Sequence, residues 1–426
     1  MKTLLGVCVL AVGVVGCGEL LPGPGGAGGG SGNGGGQWRQ IELPLGQDRN
    51  NVLGVHCSST DKCVIATESS GGDPGAVFVL TPTAVGEKLL DGKYKGEVQS
   101  KADMLGDLDF AGFDTDADGK LIARIDNSSV MTVATGDFTQ KSSWAITNMG
   151  RSGGDTLPLN ATSALQHDSA NKWVFINRMG FVYQSNAAPG MTTEWTKVWS
   201  PTATPSIPAD FAAQKVLEPT LCHSDVTAGG LPGASQPAYI AKDLSVIVTV
   251  AGGLNQHGNA DPGVCISTDR GAHFFNVAFT DLTSPDVSSP GPIGVMCTDK
   301  DNCYAYNGLQ FQTGTAYIYY STNASAGKAS TWAKATMPSS FATSDQITIQ
   351  GIFFAPDKVH GWAVGNNAHK GMLLRTTDSG KTWADVSAPV LLAKDSDLYN
   401  GFALDKDNVW LVGRFGTVLV TNSAQQ

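Results

Sequence analysis

One short motif, a stretch of β-forming and mostly apolar residues that runs into a polar turn, recurs along nearly the whole chain. Its spacing of roughly 50 to 75 residues points to a repeat architecture. It stands at Val64-Ile65-Ala66, Leu121-Ile122-Ala123, Trp173-Val174-Phe175, Val246-Ile247-Val248, Tyr304-Ala305-Tyr306, Trp362-Ala363-Val364 and Trp410-Leu411-Val412, seven copies in all. Around the sixth copy the sequence spells out a complete unit. Ile349-Gln350-Gly351-Ile352-Phe353-Phe354 leads through Pro356-Asp357 to Gly361-Trp362-Ala363-Val364-Gly365 and on to Gly371-Met372-Leu373-Leu374-Arg375-Thr376. A turn at Thr377-Asp378-Ser379-Gly380 then gives Lys381-Thr382-Trp383. Four short strands separated by turn formers make a small antiparallel sheet.

A four-stranded sheet with two apolar faces cannot stand alone in water. Seven set radially bury those faces against one another, so the expected fold is all-β, a seven-bladed β-propeller. The chain ends offer a check. The last copy, ending in Gly416-Thr417-Val418-Leu419-Val420, stops short of a fourth strand, while Gln37-Trp38-Arg39-Gln40-Ile41-Glu42-Leu43-Pro44 has no unit of its own. It matches the fourth strand seen at Trp332-Ala333-Lys334-Ala335-Thr336-Met337-Pro338. The N-terminal segment is therefore expected to complete the seventh blade and close the ring, which removes exposed edges.

Two turns carry a family resemblance. Ser267-Thr268-Asp269-Arg270-Gly271-Ala272-His273-Phe274 and Thr376-Thr377-Asp378-Ser379-Gly380-Lys381-Thr382-Trp383 resemble the Asp-box of bacterial neuraminidase repeats, and degenerate copies end at Trp195 and Trp332. The resemblance implies a folding role for this turn: the Asp satisfies backbone donors, the Gly permits the tight backbone and the aromatic packs beneath the blade. The chain is also similar to the photosystem II assembly factors, seven-bladed Asp-box propellers that act as binding scaffolds, although their arginine-rich patch is not reproduced here. What this similarity implies is a noncatalytic binding head.

The first residues read as an export signal: a positive charge at Lys2, then an apolar or Gly run from Leu4 to Val15 too short to span a bilayer. Val14-Val15-Gly16-Cys17 resembles a lipobox, so Cys17 is the expected lipidation site. Gly18 to Gly36 is Gly-rich and reads as a flexible tether. The expected domains are thus residues 1–16 as lipoprotein signal, 17–36 as lipidated Cys and tether, and 37–426 as propeller. No other stretch is long and apolar enough to span a membrane, so the lipid is the expected attachment. The expected location is the cell envelope; the lack of Asp at Gly18 resembles lipoproteins sorted to the outer membrane. A net charge of −10 argues against nucleic acid as a partner, which leaves a protein or glycan ligand and a monomeric head as the expectation.

Of eight cysteines, six remain after Cys8 and Cys17 are set aside, an even number in an oxidising compartment. Cys57 and Cys63, and likewise Cys297 and Cys303, flank short polar loops at strand ends and are expected to close hairpins as local disulfides. By elimination Cys222 is expected to pair with Cys265.

Candidate sites follow. Asp114, Asp116 and Asp118, ahead of Gly119, resemble the start of a calcium loop and are the candidate metal ligands, with calcium the cofactor they would take. The later ligands fail to appear, since Ile122 and Ile125 occupy their places, and a polar hairpin turn explains the same residues. Loops leaving the second strands lie opposite the Asp-box turns and offer Glu68, Arg178, Asn255, His257, Asn307, Asn366, His369 and Arg414 as binding-face candidates. No catalytic residue is assigned. The competing reading is a glycoside hydrolase, sialidase-like or xyloglucanase-like, but the chain has eight arginines, no Arg-Ile-Pro and no obvious acid pair among its 38 Asp and Glu.

Overall fold

The computed structural model describes residues 38–44, 50–68, 75–91, 109–126, 130–152, 155–156, 162–177, 181–190, 192–199, 238–251, 263–279, 292–307, 316–343, 347–368, 370–387 and 397–421. Seven four-stranded antiparallel sheets are formed. Their first strands are Val52–Ser59, Asp109–Thr115, Thr162–His167, Ala238–Ile240, Gly294–Cys297, Ile347–Phe354 and Leu398–Ala403, numbered here as blades 1 to 7. In six of the seven sheets the strands follow in sequence order. The seventh consists of Leu398–Ala403, Val409–Gly413, Val418–Thr421 and, as its outer strand, Trp38–Gln40.

That last pairing closes the ring as the sequence predicts. Trp38 lies opposite Thr421, Arg39 opposite Val420 and Gln40 opposite Leu419, and the Ile41 N–H donates to the Val418 carbonyl at 2.9 Å. Ile41, 2% exposed, sits in the core between blades 7 and 1, while Trp38 packs toward blade 6.

The core is not one mass. Among the described residues it divides into one apolar cluster at each of the seven blade junctions. This division explains why the second strands are apolar on both sides. In blade 6, Trp362 and Val364 enter the junction with blade 7, whereas Ala363 faces blade 5. Alternate residues of a strand point to opposite faces, and here both faces are interfaces. The first strands of neighbouring blades approach one another around the axis. In blades 1, 2, 3, 6 and 7 the first strand carries a register shift, at Val52/Gly54, Phe110/Gly112, Thr162/Ala164, Ile349/Gly351 and Leu398/Asn400. A bulge of this kind bends the strand and re-aims one residue. The bulged Leu53 and Tyr399 form a buried pair of their own.

Since strand direction alternates, the turns joining first to second and third to fourth strands share one face of the ring. The turns joining second to third strands lie on the other. Two third-to-fourth turns are the Ser/Thr-x-Asp-x-Gly segments. In one, Ser267 Oγ donates to Asp269 Oδ1 at 2.8 Å, which also accepts the His273 N–H at 3.0 Å. In the other, Thr376 Oγ1 donates to Asp378 Oδ1 at 2.8 Å, which accepts the Thr382 N–H at 2.9 Å. Gly380 has φ 76°, and a Cβ there would lie 2.4 Å from the Tyr304 ring of the preceding blade. Glycine is needed twice over at that position, for conformation and for the approach of the neighbour.

Disulfides Cys57–Cys63 and Cys297–Cys303 join directly opposed residues of first and second strands, each with Cα atoms 4.0 Å apart. Cys265 is also disulfide-bonded; Cys222 lies outside the described residues.

Candidate functional site

The turn between first and second strands repeats a device that the sequence reading does not single out. An Asp opens it in six blades and accepts backbone N–H groups from the residues that follow. Asp116 Oδ1 accepts from Lys120, Asp168 from Ala170 and Lys172, and Asp243 from Ser245. Asp299 accepts from Asp301 and Asn302, Asp357 from Val359 and His360, and Asp405 from Asp407 and Asn408. All but Asp116 accept the N–H two residues on and so form Asx turns; Asp116 pins its hairpin four residues on. At three junctions the same Asp meets a cation from the next blade: Asp168 with Arg270 at 3.5 Å, Asp243 with Lys300 at 3.7 Å and Asp299 with Lys358 at 2.8 Å. A signal for these turns does exist in the sequence: an Asp shortly ahead of nearly every second strand.

The calcium candidates part company here. Asp114, still on the first strand, lies 3.5 Å from the Arg124 guanidinium. Burial pushes the Asp114 carboxyl above the usual carboxylate range, and Arg124 opposes that shift only in part. Asp116 and Asp118 turn instead toward His167 of blade 3, and the ligand atoms of those three residues lie within 4.8 Å of one another.

On the same face, at the ends of the first strands of blades 2 to 5, a cavity of about 550 Å³ opens. Its wall includes Asp114, Thr115, Gln166, Tyr239, Lys242, Asp243, Thr298, Asp299 and Lys300. The hydroxyl and backbone N–H of Ser245 hold Asp243 below its ordinary value. Although burial works against it, the Lys358 ammonium and the Asn302 N–H groups hold Asp299 well below its own. Tyr239 is pushed up, by burial first and then by Asp299, Asp243 and Asp301. The cavity thus presents two firmly ionised carboxylates, one with a raised affinity for protons, and two lysines.

Of the binding-face candidates, the described Glu68, Asn307, Asn366 and Arg414 lie on the opposite side. Arg178, Asn255, His257 and His369 lie outside the described residues, as does Cys17. Asn307 is buried and closes its own turn, its N–H donating to the Tyr317 carbonyl and its Oδ1 accepting the Tyr317 N–H, both at 3.3 Å. Asn366, 2% exposed, is the next-to-last residue of the second strand of blade 6, Gly361–Asn367. Glu68 and Arg414 are brought to the junction where the ring closes. Asn51 donates to Glu68 Oε1 and, through its own Oδ1, accepts the Phe415 N–H at 3.2 Å. Arg414 lies 3.6 Å from Asp397 and stacks over the exposed Phe415 ring at 4.5 Å.

No family model and no curated protein matches this sequence. Among solved structures the chain is similar to YCF48 from Cyanidioschyzon merolae, with 14% identity, a TM-score of 0.54 and coverage of 92% of this chain and 100% of that one. YCF48 bound to D1 peptide gives 12% identity, a TM-score of 0.53 and coverage of 92% and 98%. A streptogramin B lyase gives 10% identity, a TM-score of 0.51 and coverage of 90% and 97%. At these identities the likeness establishes the propeller fold, and that same fold hosts both a peptide-binding protein and a lyase.

Proposed function

We propose that this protein is a noncatalytic binding head, held at the bacterial cell envelope by a lipid on Cys17, and that its ligand is an extended stretch of another protein. One observation carries the reading: each carboxylate lining the cavity at the ends of the first strands is engaged by a cation, Asp114 by Arg124, Asp243 by Lys300 and Asp299 by Lys358. A glycosidase needs one acid that can donate a proton and a second free to act as base or nucleophile. Paired charges on the wall of a concave site suit recognition instead, where they set orientation and partner. The YCF48 structure with D1 peptide supports a peptide as the kind of ligand this fold holds. The hydrogen-bonded turns at Asp269 and Asp378 support the resemblance to Asp-box repeats. Lipobox, Gly-rich tether and Gly18 support an outer-membrane anchor.

The test is capture of envelope proteins by the purified chain and by Lys242→Glu, which reverses a charge on the cavity wall. Specific capture lost in the variant supports the proposal; identical capture by both places the ligand elsewhere and overturns it. A second reading, glycoside hydrolysis, draws on the raised proton affinity of Asp114, the property of a general acid. Turnover of fluorogenic glycosides or sialosides that disappears in Asp114→Asn would replace the binding-head reading with that one.

A further inference from the structure

At the junction of blades 2 and 3 the pattern shared by the next three junctions breaks, and the break has the form of a metal site. Where Asp168, Asp243 and Asp299 meet an arginine or lysine of the next blade, Asp116 meets an imidazole. His167 is 6% exposed, and its Nε2 is buried and makes no hydrogen bond. Its other nitrogen, Nδ1, lies 3.1 Å from the Asp168 carbonyl oxygen. A carbonyl can only accept, so Nδ1 carries a proton, and Nε2, the position left to bind a metal, faces Asp116 Oδ2 at 3.6 Å and Asp118 Oδ2 at 3.7 Å.

These separations are too long for direct charge-assisted hydrogen bonds, which close to about 2.7–2.9 Å. They are close to the spacing of ligands that share one ion. Two ligands about 2.0–2.1 Å from a tetrahedral zinc stand about 3.3 Å apart, a few tenths of an ångström inside the distances here. From these contacts we infer that His167 Nε2, Asp116 Oδ2 and Asp118 Oδ2 bind a divalent transition-metal ion of the zinc class. The surroundings hold the three groups in place. Asp116 Oδ1 is fixed by the Lys120 N–H at 2.7 Å, which leaves Oδ2 for the ion. The imidazole is clamped by the Asp168 carbonyl on one side and lies against Trp173, with ring centroids 4.3 Å apart. Gln166 Nε2 donates to the Thr115 carbonyl at 2.8 Å and ties the two blades together beside the site. A carbonyl-bound imidazole is the usual outer support of a metal-bound histidine.

The ligand set also decides against calcium, which takes six to eight oxygens, whereas a buried imidazole nitrogen with two carboxylates suits zinc and its neighbours. Asp118 is exposed, so water completes the coordination from the solvent side. Lys120 reaches Asp118 at 3.5 Å from the surface, and among the described residues no lysine or arginine pairs with Asp116 across the junction.

The experiment is isothermal titration of Zn²⁺, Co²⁺ and Ca²⁺ into the metal-stripped full-length protein, alongside His167→Gln and Asp118→Asn. Asp118→Asn guards against misfolding, because Asp118 makes none of the backbone hydrogen bonds that hold the hairpin. Circular dichroism of both variants is compared with the parent. The inference predicts one Zn²⁺ per chain, at least roughly tenfold weaker binding in each folded variant, visible absorption from four-coordinate Co²⁺ in the parent alone, and no heat with Ca²⁺. Zinc binding of equal strength in parent and variants would assign the ion to the surface pairs His273–Asp269 or His360–Asp357 and overturn it. So would Ca²⁺ binding that Asp118→Asn removes, or an absence of zinc binding, which would leave His167 a packing contact between blades 2 and 3.

Discussion

Mild acid should weaken this protein through the half-buried imidazole of His56, above the pH at which its best-held surface carboxylates titrate. His56 lies on the first strand of blade 1 with its ring edge-on to Phe138 of blade 2 at 5.4 Å and to Phe402 of blade 7 at 4.9 Å. Burial among these rings lowers its pKa from 6.5 to about 4. Between those values the unfolded chain takes up a proton that the folded chain refuses. The contribution of the neutral ring is therefore complete above pH 6.5 and is lost progressively as the pH falls toward about 4. At about 1.36 kcal/mol per pH unit, that span corresponds to roughly 3 kcal/mol. The best-held surface carboxylates titrate lower: the hydroxyl and N–H of Thr139 bring Asp137 to about 2, and the His360 N–H, with burial opposing, brings Asp357 to about 2. Urea unfolding followed by tryptophan fluorescence, from about pH 7.5 down to about pH 4, should be run on the parent and on His56→Phe. The parent should lose about 3 kcal/mol more than the variant across that range. If the two stability curves fall in parallel, the imidazole is not packed between Phe138 and Phe402 and the contacts described for that junction are wrong.

Two further outcomes follow from the packing. Ile41→Ala removes a side chain from the core between blades 7 and 1 and should cost about 2–5 kcal/mol, read from the midpoint of denaturant unfolding. The same change at exposed Gln40 should be nearly silent. Asp378→Ala strips the turn acceptor for Lys381, Thr382 and Thr376, and should cost about 1–3 kcal/mol by the same measurement while ligand capture per folded molecule stays unchanged.

Strand patterning made the ring legible from the chain alone. Trp362 and Ala363 are both apolar because each enters a different junction, and that doubly buried character marks every second strand. The orphan segment at Trp38 was recognisable because its partner edge at Val418 lacked a strand. Contacts between blades were harder to foresee. Along the chain the Asp-rich turn at Asp114 resembles a calcium loop, with Ile122 and Ile125 standing where the later ligands would be. In the folded protein Asp114 joins Arg124, and the third group beside Asp116 and Asp118 is His167, a residue of the neighbouring blade that no contiguous motif contains. Asn307 and Asn366 were chosen as loop residues leaving the second strands. Both are buried; at Asn307 the side chain turns inward and accepts the Tyr317 N–H. The recurring Asp of the first-to-second turns is not legible singly, because a lone Asp before a strand is common, and only its repetition at Asp168, Asp243, Asp299, Asp357 and Asp405 gives it meaning.

A cross-link between the two ends of the chain tests ring closure most directly. Trp38 and Thr421 are opposed across the outer rung of blade 7, so Trp38→Cys combined with Thr421→Cys should form a disulfide on mild oxidation, found by peptide mapping under non-reducing conditions. The account predicts that bond in the Trp38/Thr421 pair and its absence when Arg39→Cys replaces Trp38→Cys, since a one-residue slip turns the side chain to the other face. No cross-link in the matched pair, or equal yield in both, would mean that the beginning of the chain does not lie along its end and that the seven sheets do not form a closed ring.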